Sequence, residues 1–157
     1  MTVTNRLSHL DYPKATAGLR SLASYVNHCG LEKNLIELVL LRVSQINGCA
    51  YCIDMHTKDA RAAGESEQRL YLLQAWREAP FYSERERAAL AWCEAVTRLG
   101  EHGVSDELYA QARACFEEEE LLNLNMVTVL INAWNRIAIP FRAEPGHYQP
   151  AATQQAA

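Results

Sequence analysis

The segment from Glu32 to Gln45 carries apolar side chains on nearly every face, through Leu35-Ile36-Glu37-Leu38-Val39-Leu40-Leu41. As a helix it has no side to give to water, so it must sit inside a bundle or an interface. A buried strand is the competing reading of Leu35–Leu41. Length decides against it, because apolar residues continue through Val43 to Ile46 with neither Gly nor Pro between them, longer than a typical strand. A chain built around such a helix needs other helices to cover it.

The rest of the chain supplies them. Pro13 opens a helix to about Asn27, closed near Gly30. After the apolar helix, a third holds Cys49 and Cys52 and ends at Gly64. A fourth spans roughly Glu67–Glu78 and is stopped by Pro80. A fifth begins at Ser83, where Ser83-Glu84-Arg85-Glu86 has capping-box form, and ends near Gly100. A sixth starts at Ser105 or Asp106, and a long last helix covers about Glu119–Ile137, ending before Pro140. No alternating strand pattern, internal repeat or linker is present. The pattern predicts an all-α compact bundle of about six to seven helices. It forms one domain over residues 1–142. Residues 143–157, Pro- and Gly-bearing and then Gln- and Ala-rich, are expected to be a partly disordered tail.

Composition narrows the function. The 157 residues fit one domain with a real core. The net charge of −4, with Lys and Arg scattered, argues against a nucleic-acid surface. No apolar run reaches the ~18 residues of a membrane span. Met1–Arg6 lacks the apolar stretch of a secretion signal, so a cytoplasmic location is expected. Five cysteines, an odd number, do not read as a disulfide framework in such a chain. Cys29, Cys93 and Cys115 are isolated and read as buried apolar fillers.

The chemistry concentrates in Cys49-Ala50-Tyr51-Cys52-Ile53-Asp54-Met55-His56. On a helix, Cys49, Cys52 and His56 fall within an arc of about 60°. Two thiols one turn apart can close a disulfide, and an imidazole one turn on can move a proton, the minimum kit for thiol–disulfide chemistry. Asn47-Gly48 reads as a helix start, with Asn47 as N-cap. The helix dipole then favours a thiolate. Ile53, Ala60 and Ala63 share the cysteine face, while Asp54, Lys58 and Arg61 lie opposite. The pair should therefore be sheltered.

Glu37 and Arg42 are conspicuous on the apolar helix, where a charge must be paired. Either they bond each other or nearby main chain, or Glu37 faces the thiols and joins His56. Zinc held by Cys49, Cys52, His56 and Glu37 is the competing reading. Three ligands on one helix do not readily surround a tetrahedral ion, and no second ligand pair is visible, so neither a metal nor an organic cofactor is called for. His9, His28, His102 and His147 have no site-building spacing, and Glu117–Glu120 reads as a solvated helix start. Trp76, Trp92 and Trp134 are core or interface anchors, with Trp134 or Phe141 as candidates to line a pocket.

The residues Glu37, Arg42-x-Ser44-x-x-Asn47-x-Cys49-x-Tyr51-Cys52-x-x-x-His56 and Ala60-Arg61-x-x-Gly64 resemble the core of the alkylhydroperoxidase D-like, carboxymuconolactone decarboxylase superfamily. Asn132-Ala133-Trp134-Asn135-Arg136-Ile137 is similar to members of the group more loosely. The resemblance implies a compact all-α homo-oligomer (dimer, trimer or hexamer) and thiol-dependent peroxidase or disulfide-reductase chemistry. It implies Cys52 as the thiol attacked by a hydroperoxide, Cys49 as the resolving partner, and His56 with Glu37 as the proton relay. It also implies reduction by an external dithiol or lipoyl-type donor. One departure stands out: alkylhydroperoxidase D has a second histidine where this chain has Tyr51, which ideal geometry points away from the Cys49–His56 face. A phenol is a poor base at pH 7. The decarboxylase branch generally lacks the cysteine pair, so lactone chemistry is not the first choice. A non-catalytic redox sensor or stabilising clip is the alternative to an enzyme.

Overall fold

The computed structural model describes residues 5–151. Seven α-helices follow one another: α1 (Ala17–Val26), α2 (Lys33–Asn47), α3 (Ala50–Ala62), α4 (Glu67–Leu72), α5 (Glu84–Thr97), α6 (Asp106–Arg113) and α7 (Glu118–Phe141). Short 3₁₀ turns occupy His9–Asp11 and Leu73–Ala75, and no strand occurs among the described residues.

The fold is organised by α2, which packs against α3, α5 and α7. One side places Leu35, Ile36, Val39 and Val43 in the main core with Leu124, Val127 and Ile131 of α7. The other side places Leu38 and Leu41 with Leu70, Leu73, Trp76 and Leu90. Its lack of a polar face is thus met by neighbours on both sides.

The helix starts follow their capping chemistry. Ser83 and Glu86 form the expected capping box of α5, and the Ser105 side chain caps α6. Glu117 and Glu120 form a second box at the start of α7. The ends depart more from expectation. Residues from Pro13 to Thr16 form turns, and α1 begins only at Ala17. The fourth helix stops at Leu72 and tightens into the Leu73–Ala75 turn. There the Trp76 indole donates to Glu94 across the bundle at 3.0 Å. Helix α7 runs through Pro140 to Phe141, because a proline in the last turn removes only one amide. Arg142 then takes a left-handed conformation (φ 56°) and closes the helix.

The two charges of α2 do not pair with each other. The Arg42 Nε donates to Glu94 Oε1 at 2.7 Å, both side chains buried. Glu94 also receives Arg77 at 2.6 Å. Glu37 points the other way, toward α3.

Of the isolated cysteines, only Cys93 is a fully buried filler, and burial pushes its thiol well above the usual range. Cys29 and Cys115 are partly exposed at helix ends, which corrects the filler reading for both.

Residues 143–151, where a partly disordered tail was expected, lie along α3. Lys58 Nζ donates to the carbonyls of Gly146 (3.2 Å) and Tyr148 (3.1 Å). The Gly146 amide donates to Asp54 at 3.0 Å. The tail beyond Ala151 lies outside the described residues.

Candidate active site

The site begins with a two-residue turn. Gly48 adopts the left-handed conformation (φ 70°), ending α2 with its amide directed to the Gln45 and Ser44 carbonyls. Cys49 follows as the N-cap of α3, its sulfur accepting the Cys52 amide at 3.4 Å and its carbonyl the Ile53 amide at 2.9 Å. The expected N-cap, Asn47, is instead the last residue of α2. A left-handed glycine must reverse the chain before a new helix can start. The Asn47 side chain donates to Asn132 (3.0 Å) and Asn135 (2.8 Å) of α7. Asn135 donates in turn to Ser44 at 3.3 Å. These side chains lock the α2–α3 turn against α7, which accounts for Ser44 and Asn47 before the cysteines and for Asn132 and Asn135 in the later motif.

Cys49 and Cys52 are joined as a disulfide, with Cα atoms 5.4 Å apart. Both residues are buried, 1% and 2% exposed. They differ in what they face. Cys52 lines a cavity of about 970 Å³, and Cys49 lies behind it as the cap of α3. Because both sulfurs sit at the start of α3, the positive helix end favours negative charge on them once reduced.

Folding α3 back along α2 brings Glu37 and His56 together across 19 residues. His56 Nδ1 lies 3.1 Å from Glu37 Oε2, with the imidazole almost wholly buried. Both line the cavity with Cys52. The four residues singled out in the sequence, Cys49, Cys52, His56 and Glu37, are thus gathered in one place. Tyr51 lines the same cavity, against the expectation that it points away. Trp134 is part of the wall, together with Leu31, Ile36, Leu40, Leu130 and Ile131, whereas Phe141 is on the surface.

Two further residues complete the polar end and were missed from the sequence. Asp59, one turn beyond His56, lies with Glu37 and His56 so that one oxygen or nitrogen atom of each falls within 4.8 Å of the others. Its carboxyl accepts the Tyr148 hydroxyl at 2.7 Å. Burial pushes the Asp59 carboxyl above the ordinary range and Glu37 adds to this, while the Tyr148 hydrogen bond, His56 and Lys33 act the other way. Burial, followed by the neighbouring Asp59, raises the Tyr148 phenol. The three-residue spacing from His56 to Asp59 was a readable signal. Nothing in the sequence placed Tyr148 there.

A helical bundle with a Cys-x-x-Cys pair at a helix start, beside a Glu–His couple, defines an alkylhydroperoxidase D-like protein. The carboxymuconolactone decarboxylase family profile matches residues 11–95, more than half of the chain, and the chain belongs to that family. It is 42% identical over 138 residues to the uncharacterized protein YdfG of Bacillus subtilis strain 168, covering 87% of this chain and 94% of that one. The alkyl hydroperoxide reductase AhpD of Streptomyces griseus is 39% identical over 64 residues, 41% of this chain and 35% of the relative. Among solved structures, an Agrobacterium tumefaciens protein of unknown function, named as a candidate antioxidant-defence protein AhpD, superposes with a TM-score of 0.88. That match has 42% identity and covers 92% of this chain and 100% of the other.

Proposed function

We propose that the chain is a thiol-dependent peroxidase that reduces organic or inorganic hydroperoxides at the expense of an external dithiol or lipoyl-type donor. The observation that carries this reading is the placement of Cys52. It faces the cavity beside a Glu37-paired imidazole, with Cys49 one turn away to receive its sulfur.

The cycle starts from the reduced pair. Glu37 fixes the ring of His56 through Nδ1, and His56 accepts the Cys52 proton. The Cys52 sulfur attacks the peroxide, forming an S–O bond as the O–O bond breaks. Sulfur loses two electrons and the peroxide gains them. His56 returns the proton to the departing alkoxide or hydroxide. Cys49 then attacks the sulfenic acid, closing the Cys49–Cys52 disulfide and releasing water. The dithiol reduces that disulfide and is itself oxidised. Cys49 serves as resolving thiol because it lies behind Cys52, away from the cavity.

The reading extends to assembly. Leu122 and Val129, two turns apart on α7, remain exposed, which supports packing between copies of the chain. Among the described residues no helix is long and apolar enough to cross a membrane.

Steady-state consumption of cumene hydroperoxide with dihydrolipoamide tests the proposal. Glu37→Gln is expected to cut turnover about 100-fold while leaving the fold intact, the usual scale for loss of acid–base assistance. An unchanged rate would remove Glu37 from the relay. A second reading, a redox sensor with little turnover, is favoured by the near-complete burial of both sulfurs. It predicts disulfide formation by peroxide without sustained consumption in the same assay.

A further inference from the structure

We propose that Asp59 is a third member of the proton relay and that Tyr148, on the docked tail, is its positioning residue. The inference rests on the reading of Cys52 as the reacting thiol and adds no redox step to it. Its basis is geometric. Asp59 lies within 4.8 Å of the Glu37 and His56 polar atoms. Its side chain is tied by Tyr148 across 89 residues at 2.7 Å. Both residues line the cavity that Cys52 faces.

The relay needs such a group. When His56 takes the Cys52 proton, the cavity end holds an imidazolium and a thiolate. Glu37 balances the imidazolium through one ring nitrogen. A second carboxylate beside the pair stabilises the protonated relay until the proton is handed to the alkoxide. Asp59 has no other ionic partner within salt-bridge distance among the described residues, unlike Asp54, which pairs with Lys58 at 2.9 Å. A free carboxylate on a turning helix would swing toward water. The Tyr148 hydroxyl holds it inward. The tail is held in turn by the two Lys58 bonds and the Gly146–Asp54 bond. The tail therefore completes the site.

The other titratable groups lining this cavity are His9 and His28, Lys33 on α2, and Tyr51 on α3. The Lys58–Asp54 pair lies under the tail, with His147 nearby. Helix α7 contributes Leu130, Ile131, Trp134 and Ala138 and no charge. Asp59 is thus the group whose removal changes the charge beside His56 without breaking the Glu37 contact.

The test uses the full-length protein reduced with dithiothreitol, freed of reductant, and alkylated with iodoacetamide across pH 4.5–9.5. The rate at Cys52 is read by peptide mass spectrometry. Loss of the Asp59 anion destabilises the His56 imidazolium, and with it the thiolate whose proton His56 takes. Asp59→Asn, which keeps an acceptor for Tyr148, is expected to move the onset of Cys52 alkylation to higher pH by about 0.5–1 unit. Tyr148→Phe should move it the same way by less. Added to Asp59→Asn, it should move it no further, because the two act as one unit. A merely structural role would change thermal stability and leave the profile in place. An unmoved profile in Asp59→Asn, or fully additive shifts in the double variant, overturns the proposal. If Cys52 in the parent protein is alkylated no faster than an ordinary exposed thiol at pH 7, the peroxidase reading fails and this inference falls with it. A Cys52 that reacts rapidly with an unmoved profile sinks this inference alone.

Discussion

Cys52→Ser is expected to lower dithiol-dependent hydroperoxide consumption by at least about 1,000-fold, with the residual rate equal to that of the dithiol alone. The size follows from the division of labour between the sulfurs. A serine hydroxyl keeps the shape of the side chain and the fold around it. Its oxygen lone pairs lie lower in energy and are less polarisable than those of a thiolate sulfur, so they attack an O–O bond poorly, and it is far less acidic than a thiol. Cys49→Ser should behave differently. It leaves the attacking sulfur in place, so the first equivalent of peroxide is still consumed, and only the later turnovers stall as sulfenic acid accumulates. The contrast between no reaction and one reaction separates the roles better than either rate. Cys93 offers a built-in control. Its burial raises the thiol so far that Cys93→Ala should leave peroxide consumption unaltered.

The second large effect falls on stability, at the opposite side of α2. Glu94→Ala is expected to cost about 3–5 kcal/mol, because it leaves the buried Arg42 guanidinium and the Trp76 indole without their acceptor. For a chain of this size that corresponds to a fall of roughly 10–15 °C in melting temperature. Arg77 and Arg98 also reach Glu94, but both are more than half exposed and can turn to water. The stranded charge is therefore Arg42. The double variant Glu94→Leu with Arg42→Met should recover most of the loss, since a well-packed apolar pair is often as stable as the ion pair it replaces. The pH dependence has a defined sign. Burial alone would raise the Glu94 carboxyl. The Trp76, Arg77 and Arg42 hydrogen bonds outweigh burial and hold it below its ordinary value. A depressed folded-state value means the stabilisation is present in full above about pH 4.5, the unfolded value. It is lost as pH falls through the folded value. Thermal denaturation between pH 3 and 7 should show the parent falling toward the Glu94→Ala variant at the acid end.

The parts of the molecule that were readable before any coordinates are those where a local rule and a global need coincide. Helix α2 had to be buried because it has no polar face, and the capping box at Ser83 started α5 where the spacing said it would. The gathering of Cys49, Cys52, His56 and Glu37 followed from one turn of helix and one tight reversal. What was not readable depended on contacts distant in sequence. Asn47 reads locally as a cap, yet its amide is claimed by Asn132 and Asn135 of α7, and the capping task passes to the sulfur of Cys49. Tyr51 reads as pointing away on an ideal helical wheel. The cavity is wide enough, and wraps far enough round α3, to include it. Glu37 and Arg42 are five residues apart and looked equally able to pair. Only the packing of α3 on one side and α5 on the other decides that one serves His56 and the other Glu94. The segment past Arg142 has the composition of a loose end. Lys58, Asp54 and Asp59, on the face of α3 that was read as solvent-facing or left unassigned, turn out to be its docking points.

The most direct measurement is peptide mass spectrometry of Cys49→Ser after one equivalent of cumene hydroperoxide, in the presence of a dimedone-type sulfenic-acid trap. The account predicts a single stoichiometric adduct on Cys52, with Cys29, Cys93 and Cys115 unmodified. An adduct on any of those three in place of Cys52, or no adduct while peroxide is still consumed, would contradict it.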